Sequence, residues 1–252
     1  MSEAREAKAG IFHALHARGD PLILFNAWDA GSAQAVARAG AKAVATGSWS
    51  VAAANGYPDG EAMPLDLVLS NAERIAAAVE LPVTIDMVRG YGERPGEIAE
   101  TMRRLWDAGA VGCNIEDSLA DGSGLTPLSE QVERLGAARK AAPSMFLNAR
   151  VDLFLRTSAE AHDGRLLDEA LGRAATYAEA GADGIFVPGL AEEALIGAFC
   201  SGCALPVNIM AARGVPSAER LATLGAARIS HGPSPYRQAM AQLEEAARAA
   251  LR

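Results

Sequence analysis

The chain has 252 residues, a formal charge of −8, and half of its residues are apolar. That is enough apolar material to bury a core in one large domain or two small ones, which excludes disorder. With no Lys/Arg runs it is unsuited to a nucleic-acid backbone, and no run of about 18 apolar residues offers a membrane span.

The expectation is therefore a soluble, cytoplasmic protein whose partner is a small molecule. The N-terminus MSEAREAKAG is polar, unlike a secretion signal. Three cysteines, Cys113, Cys200 and Cys203, are too few and too odd for a disulfide framework. Cys200 and Cys203 form a CxxC without the second ligand pair that zinc would need.

The first 20 residues read as an extra helix carrying His13 and His16. After it, four joints (VARAGAKAVAT, LWDAGAVGCNI, YAEAGADGIFV and LATLGAARIS) repeat one pattern: helix, glycine, small residue, apolar strand. Glycine past a helix end takes the left-handed conformation that stops the helix. Filling in the rest gives strands near 22–27, 42–46, 82–86, 111–115, 145–150, 184–187, 206–210 and 227–230. Helices are expected from Asp29, Leu65, Pro95, Pro127, Gly164, Ala191, Pro216 and Pro233. Eight apolar strands alternating with helices predict an α/β fold, a single (β/α)8 TIM-type barrel over residues 1–252. A doubly wound sheet would carry a G-x-G-x-x-G loop, and GYGERPG has Pro95 at the last glycine position.

Chemistry in such a barrel sits at the C-terminal strand ends. Here those ends carry Asn26, Trp28 and Asp29, then Thr46 to Trp49, then Asp86, then Asn114, Glu116 and Asp117. Strands five to eight follow with Asn148, Arg150 and Asp152, with Pro188, with Asn208, and with Ser230 and His231. Asp86 and Glu116, on adjacent strands, suit a hard divalent cation, which takes few protein carboxylates and fills its shell with water and substrate oxygens. Arg150 suits the fork-like grip on an anionic substrate, either alongside or in place of a salt bridge to Asp152 or Glu116. TGSWS offers consecutive backbone N–H groups for a carboxylate or enolate oxygen. The insertion VAAANGYPDGEAMP has the glycines and prolines of a lid, with Asp59 as the acid it would deliver. Asp29 and Ser118 are candidates for helix caps as much as for chemistry. His231 is read either as a proton donor or as a packing residue.

Taken together, FNAWDAGSA, GYPDGE, IDMVRGYG, AGAVGCNIEDS, LNARVD, AGADGIFVPGL, PVNIM and ARISHGPSPYR resemble the isocitrate lyase and phosphoenolpyruvate mutase superfamily over nearly the whole length. The resemblance implies a Mg²⁺-dependent barrel, with Mn²⁺ as a substitute, acting on 2-oxo or 2-hydroxy acids by cleavage or decarboxylation through an enolate. It also implies a homo-oligomer, dimer or tetramer, whose last helix, in PYRQAMAQLEEAARAAL, packs on or swaps with a neighbouring subunit. By motif, Asp86 and Glu116 match the metal acids, Arg150 the carboxylate-holding arginine, Gly47, Ser48 and Trp49 the substrate-carboxylate loop, and Asp59 the gating acid. Asn208 and Arg237 fall where lyases contact the distal part of a larger acid.

The sequence also departs from the family pattern. The second acid of the turn is Val88, followed by Arg89, which implies a weaker hold on the cation. The loop SLADGSGLTP has neither the lyase cysteine nor the mutase asparagine, and Pro188 replaces the mutase histidine. Phosphonate rearrangement is thereby disfavoured, and isocitrate-lyase-style cleavage lacks its proton donor. A catalytically weakened 2-oxo-acid-binding protein and a hydrolase of acyl or phosphonyl pyruvates stand as alternatives.

Overall fold

A computed structural model describes residues 2–252. Eight parallel strands, β1 (Leu22–Leu24), β2 (Val44–Ala45), β3 (Val83–Asp86), β4 (Gly112–Glu116), β5 (Phe146–Arg150), β6 (Gly184–Phe186), β7 (Val207–Met210) and β8 (Arg228–Ser230), lie in the order β1-β8-β7-β6-β5-β4-β3-β2. A parallel bridge between Ala27 and Thr46, with Ala27 N–H donating to Ala45 O at 2.8 Å, joins β1 to β2 and closes the ring. The (β/α)8 barrel is thus the fold, with strands shorter than expected at the first and second positions.

The helices are α1 (Ser2–Ala14), α2 (Ala30–Arg38), α3 (Ser48–Ala54), α4 (Leu65–Ala78), α5 (Pro95–Asp107), α6 (Leu128–Ala141), α7 (Leu153–Arg156), α8 (Gly164–Glu179), α9 (Glu193–Gly202), α10 (Ala218–Thr223) and α11 (Ser234–Ala250). Two of them, α3 and α7, fall where a turn and a loop were expected. Asp29 is a cap: its Oδ1 accepts from Ser32 N at 2.7 Å, and Ser32 Oγ accepts from Asp29 N at 3.0 Å, closing a reciprocal box at the start of α2. No described helix is long and apolar enough to cross a membrane.

Strand parity sorts the side chains. Ile85, Cys113, Leu147, Ile185, Ile209 and Ile229 face outward into the main core beneath the helices. Leu22, Leu24, Ala45 and Phe146 face inward and form a smaller core with Phe12 of α1. Phe12 packs edge-on to Phe146 at 5.5 Å, His16 stacks on Phe146 at 3.9 Å, and a Cβ at Gly112 would sit 2.6 Å from the Phe12 ring. Helix α1 therefore plugs the N-terminal end of the barrel.

One outer face is left bare. Ile23 and Phe25, at and just beyond β1, are each about two-fifths exposed, and α11 buries only Pro235 while Leu243 faces out.

Candidate active site

The site begins with the turn after β3. Val88, Gly90 and Tyr91 have φ of 52°, 102° and 53°, a left-handed run that glycine tolerates and a β-branched residue resists. Two clamps hold it. From the lid, Glu61 accepts from Arg89 N at 3.1 Å and Tyr91 N at 2.7 Å. From α6, buried Arg134 donates to Arg89 O at 2.8 Å, Gly92 O at 3.0 Å and Glu93 O at 3.3 Å. Val88 O accepts from Glu116 N at 2.7 Å, tying the turn to the end of β4.

Asp86 is fixed before the turn begins. Its backbone N–H donates to Thr46 Oγ1 and its Oδ2 accepts from Ser48 N, each at 3.1 Å. Its Oδ1 is buried and has no partner. Register then brings the others in, with Asp86 opposite Asn114 and Glu116 opposite Arg150. Arg150 donates to Asp152 through Nε at 2.5 Å and Nη2 at 3.0 Å, and its Nη1 lies 2.6 Å from Glu116 Oε2. Both salt bridges weighed from sequence are present, and Ser118 Oγ completes the set by donating to Asp152 at 2.6 Å.

The electrostatics follow from crowding. Burial, reinforced by Asp152, Asp86 and Asp59 and opposed by Arg150, pushes the Glu116 carboxyl well above its ordinary range. Burial works against the charge on the Arg150 guanidinium, but Asp152 and Glu116, with Asp86 behind them, hold it firmly charged. The 2.6 Å contact brings a guanidinium N–H against a Glu116 oxygen, and Arg150 is the group that works against the rise by favouring the carboxylate. Asp59 on the lid is raised by burial and then by Asp86, with Gly60 N–H and the Ser48 hydroxyl acting the other way.

Asp59, Asp86 and Arg150 border a cavity of about 210 Å³ at the C-terminal mouth, lined also by Asn26, Ser48, Trp49 and Asn114. Beneath the lid a void of about 20 Å³, roughly one water, lies between Asp59, Glu61, Asp86 and Val88. Asn26 knits the rim: its Oδ1 accepts from His231 N and Gly232 N at 2.9 and 3.0 Å, and its Nδ2 donates to Thr46 O at 2.8 Å.

Asp59, Asp86, Arg150 and the 47–49 segment, now the start of α3, thus line one cavity, and Glu116 lines an adjoining recess that shares Arg150 with it. Three other candidates lie apart from it. Asn208 sits inside the barrel with neither amide atom partnered, one layer too deep, and Met210 takes its place at the cavity. His231 turns outward, its ring 5.1 Å from Phe25 and its Nδ1 3.2 Å from Leu24 O. Arg237 covers the Trp49 ring at 4.5 Å on the outer rim. Glu61, Arg134 and Asn114 carry site geometry that sequence reasoning gave no role.

The donor set suits a hard divalent cation. Asp86 Oδ1 is an orphaned buried oxygen, the Arg150 guanidinium is already paired with two acids, Glu116 and Asp152, and Asp59 and Asp86 line the cavity beside it. Among the described residues no three His, Cys, Asp or Glu side chains form a complete metal cage. A shell of one or two carboxylates completed by water and substrate matches Mg²⁺ rather than zinc.

Residues 12–251 match the sequence model of the family described as phosphoenolpyruvate phosphomutase. A crystal structure from Burkholderia cenocepacia J2315, provisionally described as a phosphonomutase, is 51% identical with a TM-score of 0.95, covering 98% of this chain and 99% of that one. The 2-methylisocitrate lyase of Escherichia coli is 31% identical over 78% of this chain and 67% of its own length. The oxaloacetate decarboxylase of Rhodopseudomonas palustris is 31% identical over 76% of this chain and 69% of its own.

Proposed function

The chain belongs to the phosphoenolpyruvate phosphomutase family, and from that membership and the mouth's geometry we propose a metal-dependent lyase acting on a small 2-oxo or 2-hydroxy acid. The reaction is C–C cleavage or decarboxylation through an enolate. The observation that carries this reading is Asp86 Oδ1, a buried carboxylate oxygen without a partner at a mouth with excess negative charge.

Asp86 and Glu116 would hold Mg²⁺ or Mn²⁺, which when bound supplies Lewis acidity that draws electron density from the substrate's carbonyl. Arg150 keeps N–H groups beyond those given to Glu116 and Asp152, and these orient the substrate carboxylate. Ser48 N–H is spent on Asp86, which leaves the neighbouring N–H groups of Gly47 and Trp49 for a carboxylate or enolate oxygen. Asp59, its carboxyl pushed upward by burial and then by Asp86, is the acid placed over the mouth, where neither a cysteine nor His231 is available. The bare face at β1 and the unburied α11 support a homo-oligomer in which α11 of one copy covers that face of another.

Calorimetric titration with Mg²⁺ and oxalate, an enolate mimic, tests the reading. Oxalate should bind only with the metal present, and Asp86→Ala should abolish binding. No binding in either condition refutes it. The second reading, a weakened 2-oxo-acid-binding protein, is favoured by Val88 in place of an acid, and metal-independent oxalate binding would select it. Pyruvate release from oxaloacetate, 2-methylisocitrate or dimethylmalate identifies the substrate among lyase candidates, and release from phosphonopyruvate would select the hydrolase.

A further inference from the structure

Beneath the floor of the mouth lies a charge that the proposed chemistry does not use. Arg228 on β8 is 1% exposed, runs inside the barrel, and forms no ion pair among the described residues. Its Nε and Nη1 have no partner, and only Nη2 donates, to Asn114 Oδ1 at 3.3 Å. Burial pushes its pKa down to about 9, with Asp86 the main group working against that fall. An unpaired buried guanidinium is among the more expensive things a core can contain, and an apolar side chain there would cost less. A barrel interior that keeps one has a use for it.

The contact it does make settles the orientation of Asn114. A guanidinium can only donate, so the Asn114 atom facing it must be the oxygen. Asn148 Nδ2 donates to the same oxygen at 2.9 Å, so flipping the amide would set N–H groups against N–H groups from two directions. The other edge of the amide, Nδ2, accordingly faces away from Arg228. It makes no protein hydrogen bond among the described residues, is not among the buried unpartnered atoms, and belongs to a residue lining the mouth cavity with Asp86 and Arg150. It is an open donor at the cavity proposed to take the acid.

We propose that Asn114 contacts the substrate, its amide N–H₂ donating to an oxygen of the bound acid, and that Arg228 is the positioning residue that fixes this orientation from below. The inference rests on the reading of the mouth as a carboxylate site. It adds a donor from the floor to those of Arg150 and the 47–49 backbone, and it explains why Asn148 and Arg228 both donate to the one Asn114 oxygen.

A double-mutant cycle on oxalate binding at saturating Mg²⁺ tests it, using Arg228→Met, Asn114→Ala and the pair, with melting temperature followed in parallel. Arg228→Met should keep or raise the melting temperature, because it removes a buried charge, while weakening oxalate at least tenfold. The double variant should bind no worse than Asn114→Ala alone, since Arg228 acts through Asn114. Arg228→Lys, which keeps a donor and the charge, should recover part of the affinity, and it carries the test should Arg228→Met fail to fold. Wild-type oxalate affinity in folded Arg228→Met, or losses that simply add in the double variant, would overturn the assignment. Failure of the wild type itself to bind oxalate with Mg²⁺ would instead refute the parent reading, so the two failures are distinguishable.

Discussion

Replacing Val88 with Asp should make the melting temperature strongly dependent on Mg²⁺. Val88 is 4% exposed and left-handed at φ 52°. That conformation costs an ordinary L-residue about 1–2 kcal/mol, and aspartate tolerates it better. Against the relief stand the lost apolar burial, about 1.5–3 kcal/mol, and repulsion from Asp86 and Glu116, about 4 kcal/mol for a pair 4 Å apart at an effective dielectric of 20. Without metal the balance is destabilising by a few kcal/mol. Counting one such pair the net loss is about 3.5–6 kcal/mol, and in a chain of this length each kcal/mol moves the midpoint by about 2–4 °C, so a drop of about 7–24 °C is expected. A cation reverses the sign of the charge term, and each tenfold gain in its affinity returns about 1.4 kcal/mol at saturation. Scanning fluorimetry with and without Mg²⁺ should therefore show a larger metal-induced rise in Val88→Asp than in the wild type. Val88→Asn, which tolerates the same backbone without the charge, should show no such gain. Equal metal-induced rises in the wild type and Val88→Asp, or Val88→Asn matching Val88→Asp, would refute the idea that this position faces the cation.

Two further outcomes follow from features outside the mouth. Phe25→Glu, on the bare face beside β1, should shift the protein toward monomer in sedimentation equilibrium while leaving the circular dichroism spectrum intact; an unchanged association state would remove the case for α11 covering that face. His16 is held down to about pKa 3, by burial first and then by Arg228, while its unfolded value is near 6.5. The unfolded chain thus takes up the proton first, so this residue's contribution is intact above pH 6.5 and is lost as the pH falls toward 3, by up to about 5 kcal/mol at the rate of 1.36 kcal/mol per unit. Denaturant unfolding of the wild type should weaken across that window more than that of His16→Gln; equal slopes would show that the ring is not kept neutral.

The fold was readable because its signals repeat: a glycine that ends a helix and the apolar strand behind it recur along the chain, and only one closed arrangement accommodates eight such units. Asp86, Glu116 and Arg150 were readable for a related reason, since each is the last residue of its strand and all strands point the same way. Asn208 and His231 show where that rule stops. Parity turns Ser230 inward and His231 outward, a distinction a period of two could have made, whereas the depth of Asn208 depends on the stagger between β7 and its neighbours, which no local pattern encodes. Arg228 passed as one residue in an apolar strand, although a charge in such a strand was itself a signal. Glu61 stood in the quoted lid motif, but its partners are backbone N–H groups 28 and 30 residues away, and backbone atoms leave no trace in composition. Helix α3 was hidden because TGSWS has the composition of a turn and the alanines behind it are few.

The stopper that Phe12, His16 and Phe146 make of the barrel's base has a consequence for traffic. A vessel sealed at one end has a single doorway, so reactant, product and water all queue at the same threshold. In the proposed lyase a loop bearing Asp59 that closes over this mouth would hold reactant and product until it lifts, and the next molecule would enter during the same opening. Turnover in a vessel so gated would be a sequence of single occupancies, timed by its door.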